Sequence, residues 1–188
     1  MQNLNSGSNV FIKKNWYKVI IDKFTLMMKI KNIANRIKND YTDTDPPILL
    51  FVTNGGMYLG VDLSRFLTDL GFTHYIATIM LSRYKGDSQT GKIEMTQLTK
   101  VISNRHVIII EDLIDRGATL NRLHQYLLEQ NPLSIEYCVL VIKKEHEPLN
   151  FNVKYYILKE SNLGWLVGYG MDTYEDLRGL EFICQKIE

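Results

Sequence analysis

Four β-branched residues in a row, Val107 to Ile110, run directly into two adjacent carboxylates, Glu111 and Asp112. A strand without polar alternation leaves neither face for water, so this run reads as an inner strand of a mostly parallel sheet. In such sheets ligands sit outside the carboxyl ends of the strands, which is where the two acids fall. Neighbouring acids beside a core are costly unless they meet hydroxyls, a cation or water. A ribose diol and a magnesium ion would satisfy them. Next come Asp115, Arg116, Gly117, Ala118 and Thr119 (DRGAT), a glycine-containing turn before a helical stretch. Backbone N–H groups and the Thr119 hydroxyl can converge there on an anion, and a terminal phosphate fits. The plainer reading is an ordinary strand, acidic turn and helix start, with Asp112 or Asp115 as the cap.

The rest of the chain is consistent with one domain of 188 residues that is 45% hydrophobic and 23% charged, long enough for one substantial core. Lysine plus arginine number 22 against 21 acids, so no global positive field favours nucleic acid, and none is expected as a partner. Cys138 and Cys184 lack zinc spacing and read as reduced core residues of a cytoplasmic protein. No signal peptide or span of roughly 20 apolar residues is legible, so no membrane partner is expected.

The first structured element is expected to be a helix from about Lys23 to Asp40, with Leu26, Ile30, Ile33 and Ile37 on one face. After the breaker ending at Pro47, Ile48 to Val52 reads as a second fully apolar strand. Further apolar runs at Tyr75 to Leu81, Ile135 to Ile142 and Val153 to Leu158 alternate with helices near Leu59 to Leu70 and Ala118 to Gln130. Strand and helix therefore alternate, which predicts an α/β fold with a central mostly parallel sheet flanked by helices. The ends fall outside the alternation. They are expected to form a small hood, from about 1–44 and 143–188, over a core of about 45–142.

Three further stretches carry chemistry. VTNGG, Val52 to Gly56, ends a buried strand with two glycines, letting backbone N–H groups at Asn54, Gly55 and Gly56 approach a ligand, for instance a second phosphate. Between Leu81 and Met95 the apolar period disappears among small, polar and charged residues, as in a mobile excursion or a surface hairpin. GWLVGYGMD, Gly164 to Asp172, combines an aromatic, a short apolar run, two internal glycines and an acid.

The run from Val107 to Thr119 resembles the signature of type I phosphoribosyltransferases that binds 5-phosphoribosyl 1-pyrophosphate (PRPP), and the hypoxanthine-guanine branch is the nearest. GWLVGYGMD resembles that branch's base-binding segment in order and spacing, and the likeness extends from about Lys29 to the end. It implies a purine phosphoribosyltransferase of type I fold that makes GMP or IMP from PRPP and a 6-oxopurine. Glu111 and Asp112 would orient the ribose hydroxyls and help hold Mg2+ together with Asp172. Asp115 would be the general base for the purine N7 proton, and Asp115 to Thr119 would hold the 5-phosphate. Asn54, Gly55, Gly56 and Arg178 would take pyrophosphate, and the family often has an unusual cis peptide at this loop, for which Asn54-Gly55 is the candidate bond. Lys143 would donate to the purine O6, although paired lysines at a strand end are also ordinary surface charge. Trp165 would stack on the ring, and the Leu166 backbone would read its edge.

Departures from the family pattern are visible too. Asn54 stands where the family often has lysine, and EHEP follows Lys144 where relatives commonly place an arginine for pyrophosphate. In the lid loop Tyr84, Thr90 and Gly91 match, whereas Arg83 replaces a serine. A homodimer or homotetramer is implied. The alternatives are a transferase preferring xanthine, and a PRPP- or nucleotide-sensing regulator that binds nucleic acid on the same fold.

Overall fold

The computed structural model describes residues 4–83, 93–96, 98–144 and 148–187. Two strands precede the first helix, where sequence reasoning expected none: β1 (Asn9–Ile12) and β2 (Asn15–Ile21) form an antiparallel pair. In β2, Tyr17, Val19 and Ile21 are buried and alternate with less buried neighbours. That period-two signal is present in the sequence but only seven residues long.

Helix α1 (Lys23–Asp40) has the bounds its spacing predicts, and Leu26, Ile30, Ile33, Ala34 and Ile37 are its buried stripe. Asp22 caps it, accepting from the Thr25 N–H at 2.9 Å and so satisfying one of the donors a helix start leaves open. There follow β3 (Ile48–Thr53), α2 (Met57–Asp69), β4 (Tyr75–Arg83), β5 (Ile93–Met95), β6 (His106–Ile114), α3 (Ala118–Leu128), β7 (Ser134–Lys143), β8 (Tyr155–Glu160), β9 (Leu166–Val167) and β10 (Ile183–Lys186).

The larger sheet has the order β5-β4-β3-β6-β7-β8. Its five strands from β4 to β8 are parallel, and β5 joins the edge antiparallel to β4. Alternate residues serve opposite faces, which explains why the central strands are apolar throughout. Leu49, Phe51, Ile108 and Ile110 pack with α1 and α2, whereas Ile48, Leu50, Val107 and Ile109 pack with Leu120, Leu123 and Leu127 of α3. Each such side chain contributes about 1.5–3 kcal/mol by leaving water, so both faces hold the strand ends firmly in place.

The chain ends meet in a second, antiparallel sheet of order β1-β2-β10-β9. The division between the two sheets does not follow the expected boundaries at 44 and 143. β8 pairs with β7 and so extends the main sheet, while α1 is part of the main core. Hydrogen-bond partnership, which sequence does not display, decides that assignment. The lid residues Tyr84, Thr90 and Gly91 lie outside the described residues, but the strands leading to them pair, Leu81 with Met95 and Arg83 with Ile93. Among the described residues no helix is long and apolar enough to cross a membrane.

Candidate active site

Strand β6 continues four residues past its apolar run, so Glu111 and Asp112 lie within the strand and not beyond it. Glu111 is paired in register with Val139 of β7 and is only 9% exposed. Burial pushes its carboxyl well above the ordinary range, and the neighbouring Asp112 adds to the shift. Its Oε1 accepts from the Asp112 N–H at 3.0 Å. A buried acid of this kind favours a proton unless a cation or hydroxyl donors arrive to compensate it.

After β6 the chain bends through Asp115, Arg116 and Gly117 into α3. Gly117 adopts φ +85°, the left-handed conformation that a Cβ disfavours, and no side chain caps the helix there. A helix start at the carboxyl end of an inner parallel strand suits an anion. Asp115 and Arg116 are exposed, as is Ala118 on the first turn, and Thr119 is half-buried. Lys143, at the end of β7, places its Nζ 3.1 Å from Oδ1 of Asp115.

Three segments far apart in sequence converge on Gly55. A Cβ added there would run into the Asp112 carboxylate, so this glycine is what lets β6 and the β3–α2 loop approach. From the other side Gly170, at φ +105°, lies so close to the Gly55 carbonyl that a Cβ on it would collide with that oxygen. Gly56 is equally confined, against the carbonyl of Ile110. The cis peptide in this loop is Thr53-Asn54, one bond before the expected Asn54-Gly55. It follows directly on Thr53, the last residue of β3 to pair with β4.

Arg178 donates from Nη1 to the Gly170 carbonyl at 2.6 Å and from Nη2 to Oδ1 of Asp172 at 2.7 Å. Oδ2 of Asp172 accepts from the Glu175 N–H at 2.7 Å. Asn54 and Arg178 line one cavity of about 380 Å3 with Met57, Tyr58, Val61, Asp62 and Arg65. Two of the anion-binding candidates, more than a hundred residues apart, therefore share one space.

Glu111, Asp112 and Asp172 do not form a three-carboxylate cage: among the described residues no group of three or more His, Cys, Asp or Glu could hold a metal ion. Both oxygens of Asp172 are already engaged. The adjacent pair Glu111 and Asp112 nevertheless fits magnesium, which commonly takes one or two protein carboxylates and completes its shell with phosphate oxygens and water.

Of the base-binding candidates, Lys143 belongs to the larger sheet, Leu166 lies in β9 of the smaller one, Trp165 directly precedes it and Asp172 follows in the loop after β9. Trp165 is 59% exposed, with its indole largely uncovered, and its carbonyl accepts from the Lys186 N–H. Leu166 follows in β9 and is buried. Sequence reasoning missed Tyr169 and Asp62, whose side chains join the base segment to α2: the Tyr169 hydroxyl donates to Oδ2 of Asp62 at 2.6 Å. The available signals were an aromatic between two glycines and one acid in the apolar start of α2, neither of which names its partner.

A family model described as a phosphoribosyl transferase domain matches residues 20–173. The hypoxanthine-guanine phosphoribosyltransferase of Crithidia fasciculata is 32% identical over 158 residues, 80% of this chain and 76% of that protein. Its counterpart from Aquifex aeolicus is 27% identical over 165 residues, 87% of this chain and 90% of its own length. Among solved structures, a hypoxanthine phosphoribosyl transferase from Trypanosoma cruzi superposes with a TM-score of 0.82 at 28% identity, covering 90% of this chain and 91% of that one.

Proposed function

The chain belongs to the type I phosphoribosyltransferase family, nearest its hypoxanthine-guanine branch, and from that premise we propose how its residues divide the work. It is a purine salvage phosphoribosyltransferase that transfers the 5-phosphoribosyl group of PRPP to a 6-oxopurine, hypoxanthine or guanine, and releases pyrophosphate.

The observation that carries the assignment of the site is Gly55 held between the Asp112 carboxylate and Gly170, because it joins all three motifs at one place. The turn from Asp115 to Thr119 takes the 5-phosphate on the helix start. Glu111 and Asp112 face the ribose hydroxyls. Asn54, Gly55 and Gly56 supply backbone donors to the pyrophosphate, and Arg178, in the same cavity, supplies the positive charge that Asn54 lacks. Trp165 stacks on the purine, and the Leu166 backbone reads its edge.

Glu111 and Asp112 would hold magnesium, which when bound would supply charge neutralisation for the departing pyrophosphate. Asp172 would add its carboxylate to that pair only on release from Arg178 or the Glu175 N–H. The chain's own contribution to proton movement centres on Asp115 and Lys143. With a purine present, Lys143 donates to O6 while Asp115 accepts the N7 proton, so the ligand replaces their mutual contact with one partner for each. Positioning of this kind comes before any matching of pKa.

Cys138 and Cys184 are buried and unpaired, which supports a reducing, cytoplasmic setting. Exposed apolar side chains outside the cavity of Asn54 and Arg178, among them Ile76, Met80 and Val101, support a homodimer or homotetramer that covers them. Pyrophosphate release from PRPP and magnesium with hypoxanthine, guanine, xanthine and adenine in parallel tests the assignment. Release with hypoxanthine or guanine is expected. Release with xanthine alone would move the assignment to a xanthine-preferring enzyme, and no release with any base would favour a sensor of PRPP.

A further inference from the structure

We propose that Asp62 and Tyr169 are positioning residues that hold the two sides of the pyrophosphate site at a fixed separation. The inference rests on the functional reading above and assigns work to two side chains outside its reacting groups.

Tyr169 is buried and has φ +50°, between Gly168 at +95° and Gly170 at +105°. An aromatic residue adopts that conformation only when its surroundings hold it. The backbone is tied on one side, where the Tyr169 N–H donates to the Leu180 carbonyl and the Gly170 N–H to the Arg178 carbonyl. The side chain ties the other. Its hydroxyl reaches Oδ2 of Asp62 at 2.6 Å, while Oδ1 of Asp62 accepts from Nη1 of Arg65 at 3.0 Å. A short O–H to carboxylate bond is among the stronger hydrogen bonds a protein makes. Burial and the Asp62 charge both push the Tyr169 hydroxyl upward in pKa, so it remains a donor.

Asp62 stands on the second turn of α2, the helix that begins immediately after Asn54, Gly55 and Gly56. Tyr169 is followed directly by Gly170, which abuts the Gly55 carbonyl and accepts from Arg178. The bond is thus a strut from a rigid helix to the loop that carries Arg178 and Asp172. Its length sets how Asn54 faces Arg178 across their shared cavity. The purine candidates Trp165 and Leu166 lie upstream in the hydrogen-bonded hood sheet, so losing the strut should disturb pyrophosphate contacts and spare the base.

The test is Tyr169→Phe, which removes only the hydroxyl, beside Asp62→Ala, Asp62→Asn and the double variant Tyr169→Phe/Asp62→Ala. Steady-state kinetics would be run with PRPP and hypoxanthine or guanine, and inorganic pyrophosphate with magnesium titrated calorimetrically. We expect Tyr169→Phe and Asp62→Ala each to raise the KM for PRPP and weaken pyrophosphate binding about tenfold, the size of one hydrogen bond to a charged group. The KM for the purine should stay as it is. Asp62→Asn, which keeps an acceptor, should recover most of the loss, and the double variant should be no worse than either single one. A lower melting temperature with unchanged pyrophosphate affinity and unchanged KM values, or an equal rise in both KM values, would overturn the proposal. If the wild type binds pyrophosphate but turns over no 6-oxopurine, the function above is lost. The pyrophosphate titration then still decides, since equal affinity in Tyr169→Phe overturns the strut and tenfold weaker binding upholds it.

Discussion

Lys143 Nζ lies 3.1 Å from Oδ1 of Asp115, joining the end of β7 to the turn after β6. The lysine side chain is 17% exposed and the aspartate 56% exposed, so the ammonium is the less solvated partner. An ion pair with one exposed member contributes little to stability, about 1 kcal/mol or less. Under the proposed function its importance lies in chemistry, because a bound purine would give each member a new partner.

Asp115→Asn should therefore lower kcat by roughly a hundredfold, within the usual range for removing a general base, while binding of PRPP changes little. Lys143→Met should mainly raise the KM for the purine. Unchanged turnover in Asp115→Asn would remove its catalytic role.

Gly117→Val should abolish PRPP binding. The residue sits at φ +85°, where a β-branched side chain is strained by at least about 1–2 kcal/mol, and the new methyls would stand in the turn proposed to take the phosphate. PRPP titration by calorimetry, with circular dichroism to verify folding, checks this; a folded variant with wild-type PRPP affinity would place the phosphate elsewhere.

Trp165→Ala should raise the purine KM about tenfold, the usual worth of one base-aromatic stack, with a nearly unchanged melting temperature because the ring is 59% exposed. Trp165→Phe should restore most of the affinity. A large drop in melting temperature without a change in KM would instead make Trp165 part of the hood's packing.

Asp22 predicts a pH dependence of stability. The Thr25 N–H first, and the Ser6 hydroxyl second, hold its carboxyl down at about 2 against 3.8 when unfolded. A depressed carboxyl stabilises the fold at pH values above the unfolded figure, and the contribution fades as pH falls from 3.8 through about 2. Asp22→Ala should cost about 1 kcal/mol at neutral pH by loss of the cap. In urea melts its penalty should shrink below pH 4, toward zero near pH 2; a penalty independent of pH would show that charge plays no part in the cap.

The sequence alone determined the main body of the fold. Unbroken apolar runs such as Val107 to Ile110 have no place except between two covered faces, and the four-three spacing of α1 fixes its bounds, since burial period is a local property. The same holds for the run from Glu111 to Thr119, where acids, glycine and helix start are contiguous. Only the tertiary structure decided what met what. β2 gains stability from pairing with β10, and β1 from pairing with β2, rather than from their own short patterns, so they were not legible as strands. Gly55 is confined by residues 57 and 115 positions further along, and the links from Lys143 to Asp115 and from Tyr169 to Asp62 arise because sheet order brings distant segments together. A local pattern records which face a residue buries; it does not record which distant side chain waits on the other side.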